Sequence, residues 1–145
     1  MLELMQEMLR GEREPPPVGR FLGMRLTQVS KGQATFELDA DPERHANPMG
    51  TVHGGILCDL ADAAMGCAYA SQLDADETFT TLELKANFLK PVRGGLLQAR
   101  ARVVKSGRTI GLVECDVLDA GESLVARASS TCMTLRGDAA AGRSA

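Results

Sequence analysis

The chain has 145 residues, which is enough for one domain with a substantial buried core. Hydrophobic residues make up 44% and charged residues 24%, which is an ordinary globular composition. The net charge of −3, with four Phe, one Tyr and no Trp, argues against a nucleic-acid-binding protein, because such a protein needs a basic surface and aromatic side chains on which bases stack.

The amino-terminal residues and the cysteines indicate the compartment. The stretch MLELMQEMLR carries Glu3 and Glu7 and no basic leader, so a secretory signal is not expected. No apolar run approaches the roughly 18 residues needed to span a bilayer, so no membrane contact is expected. The four cysteines form no CxxC pair. We therefore expect reduced thiols and a cytoplasmic protein.

The first third of the chain divides into a helix, a linker, two strands and a loop. Met and Leu recur at helical spacing in residues 1–10, and the three prolines at 15–17 end that helix and form a stiff linker. Residues 24–29 and 33–39 alternate apolar and polar side chains, which predicts two strands joined by a turn. Residues 40–52 have no period and are predicted to be a loop.

The longest helical pattern covers residues 55–71, with an apolar stripe at the 3.6-residue period. Small residues are so frequent that we expect the helix to be largely buried, with a neighbour packed closely against Gly66. Asp62 lies nearly opposite the apolar stripe, on a face shared with Asp59, Gly66 and Tyr69. Small residues around one acid indicate a subunit contact in which Asp62 points into a cleft, whereas Asp59 is explained as a solvated carboxylate near the helix start.

The rest of the chain is almost entirely strand. The predicted strands, separated by glycine-containing turns, cover residues 78–90, 95–106, 109–119 and 122–135. One helix cannot cover two separate sheets, so the predicted architecture is α+β, with a single curved antiparallel sheet wrapped around the long helix. Edge-to-edge pairing in a dimer would protect the two sheet edges. The predicted organisation is a helix and Pro-rich linker over 1–17, one folded domain over 18–136 and a flexible tail over 137–145.

The densest group of polar residues lies where the loop meets the long helix, and both histidines, His45 and His53, belong to it. The first turn of a helix has unpaired N–H groups and a partial positive charge, and Gly54 and Gly55 would let a ligand approach that backbone closely. A carbonyl oxygen that gains negative charge could be held there, as in an oxyanion hole. A glycine-rich helix start without a catalytic role explains the pattern equally well.

Other chemistries fit these residues less well. His45, His53, Asp59 and Asp62 are potential metal ligands, but their spacing matches no metal motif, so no metal is expected. Cys58 follows the helix start, where a thiolate would be favoured, but its apolar neighbours favour a core thiol. The sequence contains no GxSxG nucleophile elbow, no P-loop and no GxGxxG motif.

Residues 47–55, NPMGTVHGG, are followed by Asp62 nine residues after His53, and this pattern resembles the hotdog-fold acyl-CoA thioesterases, in particular the phenylacetate-degradation (PaaI-type) subgroup. The strand end NFLKP at 87–91 is similar as well. The resemblance implies a hotdog fold, in which a curved antiparallel sheet of about five to six strands wraps one long central helix. It also implies hydrolysis of an aryl- or medium-chain acyl-CoA to the free acid and CoA, without a metal or an organic cofactor.

The resemblance implies roles for single residues. Asp62 would be the catalytic carboxylate, and the sequence leaves open whether it acts as general base or as nucleophile. Gly54, with Gly55 as a second candidate, would donate a backbone N–H to the thioester oxygen. Asn47 would orient the water or the substrate from the loop.

Two further residues and the assembly follow from the same resemblance. His53 would shape the loop rather than transfer a proton, and Thr81 would help to place water. In the family, Asp62 faces Asn47 and Gly54 of the other subunit. The resemblance therefore implies a homodimer, and we expect two dimers to associate further.

Coenzyme A carries several phosphates, and flexible cations at strand ends and turns would bind them. The candidates are Lys90, Arg93, Lys105 and Arg108. Ordinary solubilising surface charge explains any one of them equally well.

Two other functions would use the same fold and cleft. A non-catalytic module that binds acyl-CoA has no need for Asp62, so the acid favours the enzyme. A dehydratase or hydratase acting on acyl carrier protein or CoA substrates would use a His and a catalytic acid in a different motif, which this sequence lacks.

Overall fold

The computed structural model describes residues 1–141, and the end of the predicted tail, 142–145, lies outside the described residues. The helices in this part are α1 (Leu2–Leu9), α2 (Pro17–Leu22), α3 (Pro42–His45) and α4 (Gly54–Ala70). The strands are β1 (Met24–Ser30), β2 (Gln33–Ala40), β3 (Thr78–Phe88), β4 (Gly95–Ser106), β5 (Ile110–Asp119) and β6 (Leu124–Leu135). One 3₁₀ turn, Gly137–Ala140, follows β6.

The strands form one antiparallel sheet in the order β1-β2-β4-β5-β6-β3. Helix α4 lies across this sheet and contacts all six of its strands, so the sheet curves around the helix. This is the predicted α+β architecture, and the prediction is confirmed. The boundaries of the long helix and of every predicted strand agree with the observed ones to within two residues.

The two short helices α2 and α3 are not predicted by the sequence periodicity, and each begins at a proline. Pro17 and Pro42 occupy the first turns of their helices, where the fixed φ of proline is favourable and its missing N–H costs nothing. Asp41 caps α3, because its side chain accepts a hydrogen bond from the Glu43 N–H at 2.9 Å. Helices of four to six residues are too short to show a period.

Small side chains on α4 let the sheet approach the helix closely. Ala61, Ala64 and Ala68 are at most 1% exposed and face the core. Phe79 of β3 lies against Gly66, where an added Cβ would be 3.3 Å from the ring. The close neighbour that was predicted at Gly66 is therefore confirmed to be an aromatic ring.

Tyr69 occupies a different environment from the one predicted. The prediction placed it with Asp62 on a helix face that contacts another subunit, but its side chain is completely buried within the chain. Its hydroxyl shares a hydrogen bond of 2.8 Å with Thr134, and its ring lies directly over Gly111, leaving no room for a Cβ there. The prediction was wrong because the sheet curves over the C-terminal half of α4 and buries a face that helical periodicity alone marks as polar.

The two edges of the sheet differ in what covers them. Helices α1 and α2 pack against β1, whereas β3 packs against β6 and α4 and has an open outer edge. Three large apolar side chains at or just after β3 are more than half exposed: Leu82, Phe88 and Leu89. None of the helices described has the length and hydropathy that a membrane span requires.

Candidate active site

The loop between α3 and α4 is held by the side chain of Asn47. Its Oδ1 accepts hydrogen bonds from the N–H groups of Met49 at 2.9 Å and Thr51 at 3.2 Å, and its Nδ2 donates to Thr51 Oγ1 at 2.9 Å. An Asn side chain stabilises turns in this way. Gly50 completes the turn with a φ of +73°, which suits a residue without a Cβ. The second N–H of the Asn47 amide has no acceptor within residues 1–141, so it is available to a ligand.

His53 is the N-cap of α4. Its Nδ1 accepts a hydrogen bond from the Gly55 N–H at 2.9 Å, and its own backbone N–H donates to the His45 carbonyl at 2.8 Å. The ring therefore orders the helix start and uses the Gly55 N–H in doing so. Of the two glycines considered as oxyanion donors, only Gly54 has an N–H without an acceptor in the described part of the chain.

A cleft of about 300 Å³ opens between the start of α4 and the segment that follows β3. Its walls include Asn47, Thr51, Gly54, Phe88, Lys90 and Pro91. A Cβ on Gly54 would lie 2.9 Å from Phe88 Cζ, so glycine is required for the ring to rest against the helix start. Asn47 and Gly54 thus share one cleft at the positive end of the α4 dipole, where an anion or a polarised carbonyl oxygen is stabilised.

Asp62 lies two turns further along α4, on a surface that is exposed in the single chain. The pKa of its carboxyl group is raised, chiefly because neighbouring atoms partly desolvate it, and the negative charge of Asp59 adds to this effect. A hydrogen bond from the Thr81 hydroxyl opposes the increase by stabilising the carboxylate. Asp62 and Thr81, both predicted site residues, therefore lie near each other.

A β-bulge on β3 sets the direction of Thr81. The pairing of β3 with β6 shifts by one residue between Thr81 and Glu83, and bulges redirect side chains in this way. The buried hydroxyl of Ser130 on β6 donates to the Glu83 carbonyl at 3.0 Å, so it fastens the bulge from behind. The sequence analysis missed Ser130, although a signal was present: it is a polar residue at an inward-facing position of an otherwise apolar strand pattern.

Asn47 and Gly54 do not meet Asp62 within one chain. Eight residues separate Gly54 from Asp62, which corresponds to about 12 Å along an α-helix. A thioester group is only a few ångströms long, so the two cannot act on the same carbonyl when both come from one chain. They can do so only when a second chain supplies one of them.

His45 has a structural role. It is 2% exposed; its Nδ1 accepts from the Asp41 N–H at 2.9 Å and its Nε2 lies 3.1 Å from the Leu22 carbonyl oxygen. Both ring nitrogens are thus used by the backbone, and residues 1–141 contain no group of three potential ligands that could hold a metal ion. Burial and the nearby Asp59 and Asp62 raise the pKa of the Cys58 thiol, so a reactive thiolate is not favoured there.

The four basic residues predicted to bind CoA phosphates form two groups rather than one cluster. Lys90 and Arg93 lie in the connection before β4, whereas Lys105 and Arg108 lie at its far end, about 35 Å away along the strand. Lys90 pairs with Asp119 at 2.5 Å. The sequence analysis did not reveal this separation. The two pairs of basic residues lie at opposite ends of β4, and the length of that strand keeps them apart.

Comparison with protein families gives a clear match. Residues 49–126 fit the model of the Thioesterase superfamily. The 1,4-dihydroxy-2-naphthoyl-CoA hydrolase of Listeria monocytogenes is 31% identical over 104 residues, which cover 72% of this chain and 84% of that protein.

Solved structures with a similar fold include proteins related to phenylacetic acid degradation. The phenylacetic acid degradation-related protein of Ralstonia eutropha JMP134 has a TM-score of 0.81 and 33% identity, covering 90% of this chain and 98% of the other. The PaaI protein from the phenylacetic acid degradation operon of E. coli has a TM-score of 0.82 at 22% identity, covering 93% and 96% of the two chains. At that identity the second likeness shows the fold alone.

Proposed function

The chain belongs to the thioesterase superfamily, has the hotdog fold and is an enzyme of the thioester-hydrolase class, and from this premise we propose that it hydrolyses an aryl- or medium-chain acyl-CoA to the free acid and CoA. Asp62 is the catalytic carboxylate and the Gly54 N–H is the oxyanion donor. One observation carries the proposal: α4 presents an N–H without an acceptor at its first residue and a partly desolvated carboxylate two turns later.

The Gly54 N–H stabilises the charge that develops on the thioester oxygen. When a nucleophile adds to the carbonyl carbon, the oxygen becomes an oxyanion, and a fixed N–H at the positive end of a helix dipole stabilises that state more than the uncharged carbonyl. Phe88 and Pro91 line the same cleft and reduce its contact with water, which strengthens the interaction.

Asp62 drives the attack by one of two routes. As general base, its carboxylate takes a proton from a water molecule, whose oxygen adds to the carbonyl carbon; the tetrahedral intermediate then collapses and the C–S electrons leave with the CoA thiolate, which takes up a proton. As nucleophile, the carboxylate itself displaces the thiolate, and water hydrolyses the resulting mixed anhydride. Both routes need an ionised Asp62.

The remaining predicted residues position these groups. The Thr81 hydroxyl holds the Asp62 carboxylate, His53 orders the first turn of α4, and the second Asn47 N–H is available to the attacking water or the substrate. Lys90, which lines the Gly54 cleft, and Arg93, whose guanidinium lies near Gly50, are one candidate pair for the CoA phosphates, and Lys105 and Arg108 of either chain are the other.

The assembly follows from the 12 Å separation along α4. We propose a cytoplasmic homodimer in which Asp62 of one chain faces Asn47 and Gly54 of the other, with two dimers associating further. The open edge of β3 and its exposed Leu82 support pairing at this edge.

The proposal is tested by free-thiol release from a panel of acyl-CoAs. Asp62→Asn is expected to lower kcat by about 10²–10⁴-fold, the usual contribution of an acid–base group. Asp59→Asn, on the same helix face, is the matched control and should retain activity. Because the ionised, desolvated Asp62 costs stability at neutral pH, the Asp62→Asn variant should melt no earlier than the wild type. Retained turnover would exclude Asp62, and affinity for acyl-CoA without thiol release would support a binding module instead.

Isotope labelling can reveal the nucleophilic route. In a single turnover in ¹⁸O-water, label in the Asp62 side chain requires a mixed anhydride that water attacks at the Asp62 carbon, whereas label in the free acid alone results from a general base or from attack of water at the acyl carbon of the anhydride. Mass spectrometry of the tryptic peptide that contains Asp62 distinguishes these outcomes.

A further inference from the structure

A second cavity, of about 570 Å³, lies between the amino-terminal segment and the sheet. We call it the N-terminal cavity. Residues between Met8 and Gly19 form one wall, β1 and β2 form the opposite wall, and Ala63 and Cys67 of α4 form the floor. Its volume is within the range of cavities that bind small organic molecules.

The walls of the N-terminal cavity are almost entirely apolar. The principal side chains are Met8, Val18, Met24, Leu26, Phe36 and Cys67. Three charged residues reach its rim, and each is paired with another side chain on the surface: Arg13 with Glu7, Glu14 with Arg20, and Arg25 with Asp39. Among residues 1–141, no hydroxyl, side-chain amide or unpaired charged side chain lines it, so a polar group entering it would lose its hydrogen bonds to water.

The floor of the cavity adjoins the catalytic carboxylate of the proposed function. Ala63 directly follows Asp62 on α4, and Cys67 lies close enough to Asp62 for its charge to raise the pKa of the thiol. Burial contributes most to that pKa, which reaches about 11, so Cys67 lines the cavity as an uncharged thiol. A group attached to a carbonyl carbon beside Asp62 therefore has an apolar space next to it.

We propose that the N-terminal cavity receives the acyl group of the substrate, and that this acyl group is apolar and carries no hydroxyl. The inference rests on the proposed function and narrows it, because an aliphatic or an unsubstituted aryl group fits these walls whereas a hydroxylated one does not. The related Listeria enzyme is named for a dihydroxylated acyl group. This chain would differ from it in substrate class.

The cavity walls that would exclude a hydroxylated acyl group are formed mainly by residues outside the part of the chain that fits the family model. That model begins at residue 49, whereas Met8, Val18, Met24 and Phe36 all precede it. Acyl selectivity would thus be set by a segment that can vary while the cleft at Gly54 and the carboxylate at Asp62 stay the same.

The first experiment measures selectivity by free-thiol release. We expect the wild type to hydrolyse phenylacetyl-CoA about tenfold or more faster, in kcat/KM, than 4-hydroxyphenylacetyl-CoA, since an apolar pocket disfavours a buried hydroxyl by at least this factor. Cys67→Phe, which fills the cavity, should shift the kcat/KM ratio of decanoyl-CoA to acetyl-CoA about tenfold toward acetyl-CoA. Val104→Phe, on the exposed part of β4, should leave that ratio unchanged. A preference for the hydroxylated substrate, or an equal ratio in all three proteins, would overturn the proposal.

The second experiment does not depend on hydrolysis. Calorimetry compares CoA with S-decyl-CoA, a thioether that cannot be hydrolysed. We expect the decyl group to tighten binding to the wild type at least tenfold and Cys67→Phe to abolish this gain. A missing gain in the wild type would overturn the acyl cavity even if the enzyme hydrolyses thioesters. Tighter binding of S-decyl-CoA without thiol release from any acyl-CoA would support the acyl cavity and contradict the proposed function.

Discussion

The two edge strands of the sheet, β1 and β3, are alike in one respect and opposite in another. Each contains a bulge, between Leu26 and Gln28 on β1 and between Thr81 and Glu83 on β3, and bulges discourage uncontrolled pairing at an edge. The chain then covers β1 with its own helices α1 and α2, and leaves β3 uncovered with Leu82 more than half exposed. One edge is completed within the chain, and the other is suited to a second copy.

This difference matches the division of the proposed chemistry. The covered edge carries the N-terminal cavity, which one chain builds alone. The open edge carries Thr81, which holds Asp62, and ends beside the cleft at Gly54. Substrate selection would then be a property of one chain, and bond cleavage a property of two.

The largest effect is expected from a charge on the open edge. Leu82→Asp would place a carboxylate where partner strands meet, and an unpaired buried charge costs several kcal/mol. We expect sedimentation to show dissociation into single chains, together with a loss of kcat of about 100-fold or more. Phe21→Asp is the control, because Phe21 is the more exposed side chain, at 77%, but lies on α2 at the covered edge. Equal sedimentation of both variants as dimers would show that β3 is not the interface.

A mixing experiment tests whether two chains share each site. Asp62→Asn and Asn47→Ala are each expected to be nearly inactive as homodimers. After unfolding and refolding together in equal amounts, half of the dimers are mixed, and each mixed dimer has one site with both native residues, so about a quarter of wild-type activity should return. If each site used residues of a single chain, mixing would restore nothing.

The covered edge is expected to affect stability rather than assembly. Met5 is the buried side chain of α1, at 6% exposure. Met5→Ala should lower the free energy of unfolding by about 2–3 kcal/mol, the usual cost of such a truncation in a core. Leu9→Ala, at a position that is 37% exposed, should cost less. Urea unfolding measures both, and the dimer should persist in each variant. Dissociation of the Met5→Ala dimer would contradict the assignment of the two edges.

A smaller effect is expected on the pH dependence of kcat/KM when Thr81, on the open edge, is substituted. The active form of Asp62 is the carboxylate, and its pKa is raised in the folded protein, so activity is present above that raised pKa and is lost as the pH falls through it. Thr81→Val removes the hydrogen bond that stabilises the carboxylate. The acidic limb of kcat/KM against pH should therefore move to higher pH. Thr81→Ser keeps the hydroxyl and should keep the limb in place, and an unmoved limb in Thr81→Val would show that the contact is not used.

The smallest effect is expected at Ser130, which acts only through the bulge. Ser130→Ala leaves the Glu83 carbonyl without its donor, which should cost about 1–3 kcal/mol of stability. The acidic limb should shift in the same direction as in Thr81→Val, but by less. Ser129→Ala, at the neighbouring position on the opposite face of β6, is the control. A loss of stability without a shift of the acidic limb of the kcat/KM profile would show that Ser130 has only a structural role.

Much of the fold could be predicted because periodicity and turn residues agreed with each other. The alternation along β4, for example, begins and ends at the observed residues, 95 and 106, because glycines mark both turns. The burial of Tyr69 could not be predicted, since it depends on how far the sheet curves around α4. The short helices α2 and α3 were missed because they depend on capping and on proline rather than on a period.

For the candidate site, the sequence supplies residues but not their arrangement. Gly54 and Asp62 follow from helix polarity and from the motif, and Thr81 follows from the family resemblance; their catalytic roles stay predictions. The sequence does not show that the Gly55 N–H donates to His53 Nδ1, because this hydrogen bond depends on the orientation of the imidazole ring. The distance between Lys90 and Lys105 likewise depends on the three-dimensional course of β4, which the sequence does not show.

Tyr69 gives the protein a built-in optical reporter. It is the only tyrosine, and the chain has no tryptophan, so the intrinsic fluorescence of the protein comes essentially from this single ring. The ring lies between α4 and the sheet, against Phe79 at a centroid distance of 5.6 Å. Its intensity should therefore follow the docking of the central helix, and stopped-flow refolding could record that step without any attached dye.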